Sequence, residues 1–253
     1  MAGSKTLSRT FGRHAFVTGQ QQHAQSGGSH LQQVTVAEPL PQALPKTRNS
    51  YDRFVKPAID RVAAAVLILV LSPVMLAVAL TVWIALGSPV IIRQPRVGRE
   101  GRVFPMIKFR TMHPDRRREQ RPVPPHKDNR LTHKSAHDPR HTAVGRFLRR
   151  ASLDELPQLI NVLFGHMSLV GPRPELSRVV ESIYQPWQLR RHAVKPGITG
   201  LWQVTRRTEG NADMHLHTQD DLEYIDRQSL WLDLSILVRT PFAVLALRRS
   251  TNQ

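Results

Sequence analysis

The sequence predicts a membrane-associated chain that mixes helices with a β-hairpin. Three observations carry this expectation. Val62–Leu86 is an uncharged apolar run, Val103–Thr111 alternates with strand period, and Leu156–Phe164 has a helical run between Gly/Pro-rich loops. The 253 residues suit one domain with a tail. There is no cysteine, which excludes a disulfide scaffold, a thiolate metal site and a thiol nucleophile.

The net charge of +17 is unevenly placed. Residues 93–150 carry 17 basic and 5 acidic residues, whereas residues 151–253 carry 11 of each. The excess is a block directly after the apolar run. Such a block fits an anionic partner: nucleic acid, an anionic membrane surface or a phosphorylated substrate. Aromatics are 6% of the chain, few for a base-stacking surface, and no basic recognition helix is legible. A membrane surface is therefore favoured over nucleic acid.

Residues 1–50 read as a disordered tail. Gln20–Gln22, Gly27 and Gly28, then Pro39, Pro41 and Pro45, offer little apolar surface to offset ordering entropy. Residues 51–92 form the membrane segment. Its 25 uncharged residues from Val62 exceed the ~20 needed to cross a bilayer core. Ser72-Pro73 sits near the middle, where proline removes a backbone donor and crowds the preceding turn. Arg53, Lys56 and Arg61 precede the run, and Arg93, Arg96 and Arg99 follow it. Basic flanks mark the cytoplasmic side, and here both flanks are basic. A helix that breaks at Ser72-Pro73 and returns to its side of entry satisfies both facts; a kinked spanning helix is the alternative.

Residues 93–253 form the remaining part. Strand alternation over Val103–Thr111 puts Lys108 and Arg110 on one face, about 6–7 Å apart. Two adjacent cations suit a diphosphate, although a solvated strand face is the simpler reading of the pair alone. The Pro-, Arg- and His-rich loop 113–137 reads as solvated or headgroup-facing.

Ser152-Leu153-Asp154-Glu155 has the spacing of a capping box. On that reading both carboxylates only favour a helix start. Arg146, Arg149 and Arg150 stand just before them, a basic shell expected to keep both ionised and to gather phosphate. A carboxylate can attack phosphorus, and its neighbour can hold a magnesium ion. In Gly171-Pro172-Arg173-Pro174-Glu175, two prolines limit the wandering of one arginine, which suits a phosphate clamp. Lys195–Gly200 is a second tight loop. Leu230–Leu247 reads as an interfacial helix or a core helix.

Five segments now stand in order: Gln94–Gly98, Lys108–Met112, Asp154–Leu159, Gly171–Glu175 and Lys195–Gly200. Together they make residues 52–250 resemble the bacterial sugar transferases, the monotopic polyprenyl-phosphate hexose-1-phosphate transferases, in their short form. The resemblance implies an α/β fold with a re-entrant membrane helix broken at Ser72 and Pro73, a small cytoplasmic catalytic part and interfacial helices. It implies transfer of hexose-1-phosphate from a UDP-sugar, UDP-galactose or UDP-glucose, to undecaprenyl phosphate with release of UMP. This is the initiating step of exopolysaccharide or O-antigen synthesis. Asp154 matches the nucleophile that would carry the phosphosugar, and Glu155 matches the Mg²⁺ partner. Arg149 and Arg173 match phosphate-binding positions, and Lys108 and Arg110 match a basic pair near the site. Asp221 and Tyr224 match a further motif with no assigned role. The implied setting is the cytoplasmic face of a bacterial inner membrane. The lipid bilayer and downstream glycosyltransferases are the implied partners, with no nucleic acid. A non-catalytic scaffold of a polysaccharide assembly is the alternative, for which the Asp154-Glu155 pair has no explanation.

Overall fold

A computed structural model describes residues 50–113, 140, 142–206 and 217–250, with side chains described as far as Ala246. The expected tail, and all but the first residue of the 113–137 loop, lie outside the described residues.

A turn of π-helix, Tyr51–Val55, leads into helix α1, Lys56–Leu86. Together they form the one helix, among the described residues, long and apolar enough to cross a membrane. Its composition explains its environment. Leu69, Leu76 and Ile84 are each at least 70% exposed, which is costly in water and natural in lipid. The opposite stripe is covered. Lys56, Asp60, Ala64, Val78 and Val82 are buried, with Ile68, Leu71 and Met75 partly so, at the i+3/i+4 spacing of one helix face.

The expected break at Ser72-Pro73 is not an interruption: α1 runs through Pro73 as one helix. The physical reason lies in the serine. Proline cannot donate to the carbonyl four residues back, which here is Leu69 O. Ser72 Oγ donates to that same carbonyl at 2.8 Å and keeps it satisfied.

Strands β1, Ile91–Val97, and β2, Val103–Phe109, form an antiparallel hairpin in the register Ile91↔Phe109 to Val97↔Val103. Phe104 and Met106, on one face by the alternation, are buried in the core. Phe109, on the other face, is covered too, by Val78 and Val82 of α1 and by Leu148. Helix α2, Ala143–Arg150, follows, capped by Thr142 Oγ1, which accepts from Gly145 N at 2.9 Å. A 3-10 turn, Leu153–Glu155, leads to α3, Gln158–Leu163.

Strand β3, Ser168–Val170, pairs in parallel with β4, Gly197–Thr199. Between them lie α4, Ser177–Ile183, and a 3-10 segment, Pro186–Ala193. Helices α5, Leu201–Thr205, α6, Thr218–Arg227, and α7, Leu230–Ser250, complete the described order. One face of α7 belongs to the core, as one of the two alternatives expects, and the other is open. Asp233 and Ile236 are buried, while Trp231, Val238 and Phe242 are at least 66% exposed.

Candidate active site

The Asp154–Glu155 turn is positioned from three sides. Gly145 of α2 lies so close to the chain just after β2 that a Cβ there would stand 1.8 Å from Thr111 O. Asn161 of α3 grips β2 by both ends of its amide, accepting from Ile107 N at 2.9 Å and donating to Pro105 O at 2.9 Å. Helices α2 and α3 are thus pinned to the strand that carries Lys108, and the turn spans the gap between them.

The turn is not the expected capping box. Ser152 has φ 56°, in the left-handed region, and makes no side-chain cap. Its hydroxyl is buried without a hydrogen-bond partner. Glu155 does not reach back to Ser152; it reaches Arg173. One carboxylate oxygen takes Arg173 Nη1 at 3.3 Å and the other takes Nη2, a bidentate pair. Arg173 keeps 28% of its side chain open beside this pair.

Asp154 is only 7% exposed. Burial, then the neighbouring Glu155 charge, pushes its carboxyl up to about 6, against the opposing pull of Lys108 and Arg173. The aspartate therefore ionises less readily than a free carboxyl, although still below neutral pH. Desolvation and a like charge outweigh the cations. Lys108 shows the reciprocal effect: burial, and the charge of Arg96, push its ammonium down to about 8.

Arg110 departs from its expected place. It is buried and turns back onto the end of the membrane helix, donating to Ser88 O at 3.1 Å, to Gly87 O at 2.6 Å and to Leu86 O. The carbonyls at a helix C-terminus are ready acceptors, and a guanidinium beside them is favoured. Arg110 therefore closes α1, and Lys108 alone of the pair faces the carboxylates. Arg149 lies in the last turn of α2, half-buried, and its carbonyl receives Ser152 N at 3.1 Å.

Two residues of the site were not singled out by sequence reasoning. Arg96 is buried and donates to Pro174 O at 3.2 Å and Glu175 Oε1 at 3.4 Å. Burial is the main cause that lowers its guanidinium to about 10. Glu175 also caps Leu176 N at 2.9 Å and receives Val97 N on its carbonyl at 2.9 Å. The signal was present: Arg96 is the charged member of an otherwise uncharged Gln94–Gly98 segment, on a strand whose next residue, Val97, is wholly buried.

The donor set bears on magnesium. Two hard carboxylates, one of them raised by the other, make a site where a divalent cation would relieve repulsion. Among the described residues no group of three or more His, Asp or Glu gathers as an all-protein cage. Magnesium characteristically uses one or two carboxylates and completes its shell with phosphate and water, so Asp154 and Glu155 fit it.

Sequence comparison gives this arrangement its context. The bacterial sugar transferase family matches residues 51–247. A UDP-glucose:undecaprenyl-phosphate glucose-1-phosphate transferase of Escherichia coli (strain K12) is 42% identical over 197 residues, covering 76% of this chain and 40% of that protein. An undecaprenyl-phosphate galactose phosphotransferase of Salmonella typhimurium is 40% identical over 210 residues, covering 76% of this chain and 41% of that protein. A UDP-glucose:undecaprenyl-phosphate glucose-1-phosphate transferase of Caulobacter vibrioides is 40% identical over 195 residues, with 73% and 67% covered. This chain thus spans about two fifths of the length of the first two relatives and two thirds of the third. Five ordered motifs, a buried Asp-Glu turn clamped by Arg173 and a family match across most of its length lead to one statement: the chain belongs to the bacterial sugar transferase family.

Proposed function

We propose that the chain transfers hexose-1-phosphate from a UDP-sugar to undecaprenyl phosphate, with Asp154 as nucleophile, at a membrane surface. The carrying observation is the buried Asp154–Glu155 turn with Arg173 bound to Glu155 and Lys108 beside Asp154. Ionised Asp154 attacks the sugar-linked phosphorus, and the phosphoanhydride bond to UMP breaks. The phosphosugar is then held on Asp154 until undecaprenyl phosphate attacks the same phosphorus and frees the carboxylate. On this reading Lys108 and Arg173 bind the donor's phosphate oxygens, with Arg149 one turn away along the backbone. Bound magnesium would neutralise phosphate charge as a Lewis acid, held by Glu155 with Asp154 beside it. The relatives, a UDP-glucose:undecaprenyl-phosphate glucose-1-phosphate transferase and an undecaprenyl-phosphate galactose phosphotransferase, support a glucose or galactose donor.

The reading includes a monotopic attachment on the cytoplasmic face of the inner membrane. What supports it is that both ends of α1 bind the same folded body. At the start Asp60 Oδ2 accepts from Ser168 Oγ at 2.7 Å, and at the end Arg110 closes the last carbonyls. A single helix held at both ends by one body keeps both ends on the side where that body lies. UMP release from a panel of UDP-sugars tests the reading, with detergent-solubilised chain, Mg²⁺ and undecaprenyl phosphate. Release with one sugar, lost in Asp154→Asn, is expected. No release from folded wild-type chain with any sugar overturns it.

A further inference from the structure

Three consecutive carbonyls of the loop that carries Arg173 are held by three different elements. Pro172 O accepts from Gly197 N at 2.9 Å, Arg173 O from Arg191 Nη2 at 2.8 Å and Pro174 O from Arg96 Nη1 at 3.2 Å. The backbone on both sides of Arg173 is pinned, and its side chain goes to Glu155.

Arg191 is the member that local structure does not require. It stands on the Pro186–Ala193 segment with its side chain 1% exposed, 2.6 Å from Asp221, itself 7% exposed. Its other terminal nitrogen donates to Tyr184 OH. A buried ion pair is a poor source of stability, because removing two charges from water offsets most of their attraction. An apolar pair of similar volume would fill this space as well. An apolar pair could not donate to Arg173 O.

We propose that Arg191, locked by Asp221, is a positioning residue that sets Arg173 against Glu155 for donor binding. The inference rests on the transfer activity proposed above, and it gives Asp221 a role. Neither residue touches the reacting atoms. Arg191 holds a peptide carbonyl, and that peptide is where the Arg173 side chain originates. When the carbonyl is released, the peptide between Arg173 and Pro174 can rotate and the guanidinium moves. A misplacement of about 1 Å at a charge clamp is enough for roughly a 100-fold loss.

A double-mutant cycle on the full chain tests this. Arg191→Met with Asp221→Leu removes both charges together and leaves neither buried alone. Arg191→Lys keeps a charge opposite Asp221 but loses the fork that spans Asp221, Tyr184 and Arg173 O. Each is made in the wild-type and the Arg173→Ala background. The readouts are kcat and KM for UDP-sugar in UMP release, with the melting temperature alongside. In the wild-type background we expect near-normal melting and about a 100-fold loss of kcat/KM, with KM for the UDP-sugar raised. In the Arg173→Ala background the same changes cost less than about 3-fold further, because their target is already gone. Equal losses in both backgrounds overturn the proposal, as does near-normal kcat/KM in either folded variant. If the Met/Leu pair does not fold, the Arg191→Lys cycle decides by the same criterion. Absence of UMP release from the wild-type chain overturns the activity itself and this proposal with it; additive losses with an active wild type overturn this proposal alone.

Discussion

Lys56 Nζ lies 2.6 Å from Asp233 Oδ2, joining the start of the membrane helix to α7 through a pair whose side chains are 7% and 6% exposed. Asp233 also receives Tyr51 OH at 2.5 Å and Tyr224 OH at 2.8 Å. Tyr224 OH lies 3.1 Å from Val170 O as well, so this one carboxylate ties α1, α6 and β3 to α7. Asp233→Ala should therefore lower stability by about 3 kcal/mol, since it takes the nearest acceptor from a buried ammonium and from two hydroxyls, leaving Lys56 only the more distant Asp60 and Tyr224 only Val170 O. Lys56→Met combined with Asp233→Leu should lose much less. Denaturant titration in detergent compares the two.

The pH profile follows from two opposed shifts. Asp154 must be ionised to attack, and its carboxyl is pushed up to about 6 by burial and Glu155. Lys108 must be charged to hold phosphate, and its ammonium is pushed down to about 8 by burial and Arg96. The kcat/KM for UMP release should rise as pH passes about 6 and fall as it passes about 8, giving a bell. Lys108→Arg should remove the alkaline limb, because arginine stays charged throughout that range.

Asp154 also carries a stability cost. A carboxyl raised in the folded state binds its proton more tightly there than in the unfolded chain. Its contribution is therefore most favourable below the unfolded value of about 4 and is lost as pH rises through the folded value near 6. Asp154→Asn removes the charge, so it should melt higher than wild type at pH 7.5 and gain little at pH 4. Loss of UMP release in the same variant would show the trade between activity and stability at one atom pair. Melting curves at the two pH values check the sign.

Ser72 and Pro73 make a local exchange that a cycle can measure. Ser72→Ala leaves Leu69 O without a donor in an apolar setting, at a cost of about 1–3 kcal/mol. Pro73→Ala returns a backbone N–H to that carbonyl. The Ser72→Ala penalty should then disappear in the Pro73→Ala background, as read by melting temperature in detergent.

Gly145 sets the distance between α2 and β2. Gly145→Ala places a methyl carbon 1.8 Å from Thr111 O, and backbone cannot move aside cheaply. The helix must shift, and the Asp154 turn shifts with it. UMP release should fall at least 10-fold, with melting lowered by several degrees, and Gly145→Ser should behave no better.

Local patterns made much of this molecule legible. Alternation located the hairpin and sorted its side chains into two faces, because strand side chains point to opposite sides whatever lies beyond. The uncharged apolar run located the long helix α1. The ordered motifs brought Asp154, Glu155, Lys108 and Arg173 to one expectation, and the structure gathers those four. Arg110 and the Ser152 cap went elsewhere for one reason. Both patterns are short-range rules, and each was overridden by a partner distant in sequence: the open carbonyls of Leu86–Ser88 for Arg110, and Arg173 for Glu155.

By itself the sequence determined which segments are apolar, which alternate and where the carboxylates and the Gly/Pro loops stand, since these follow from composition and period along the chain. Only the tertiary structure decided what each charge is for. A buried charge takes its meaning from its nearest counter-charge and from the water it has lost, and both depend on which elements pack together. That is why Arg191, unremarkable in line, and Asp221, thirty positions away and without a role in the sequence reading, meet beside the backbone of Arg173.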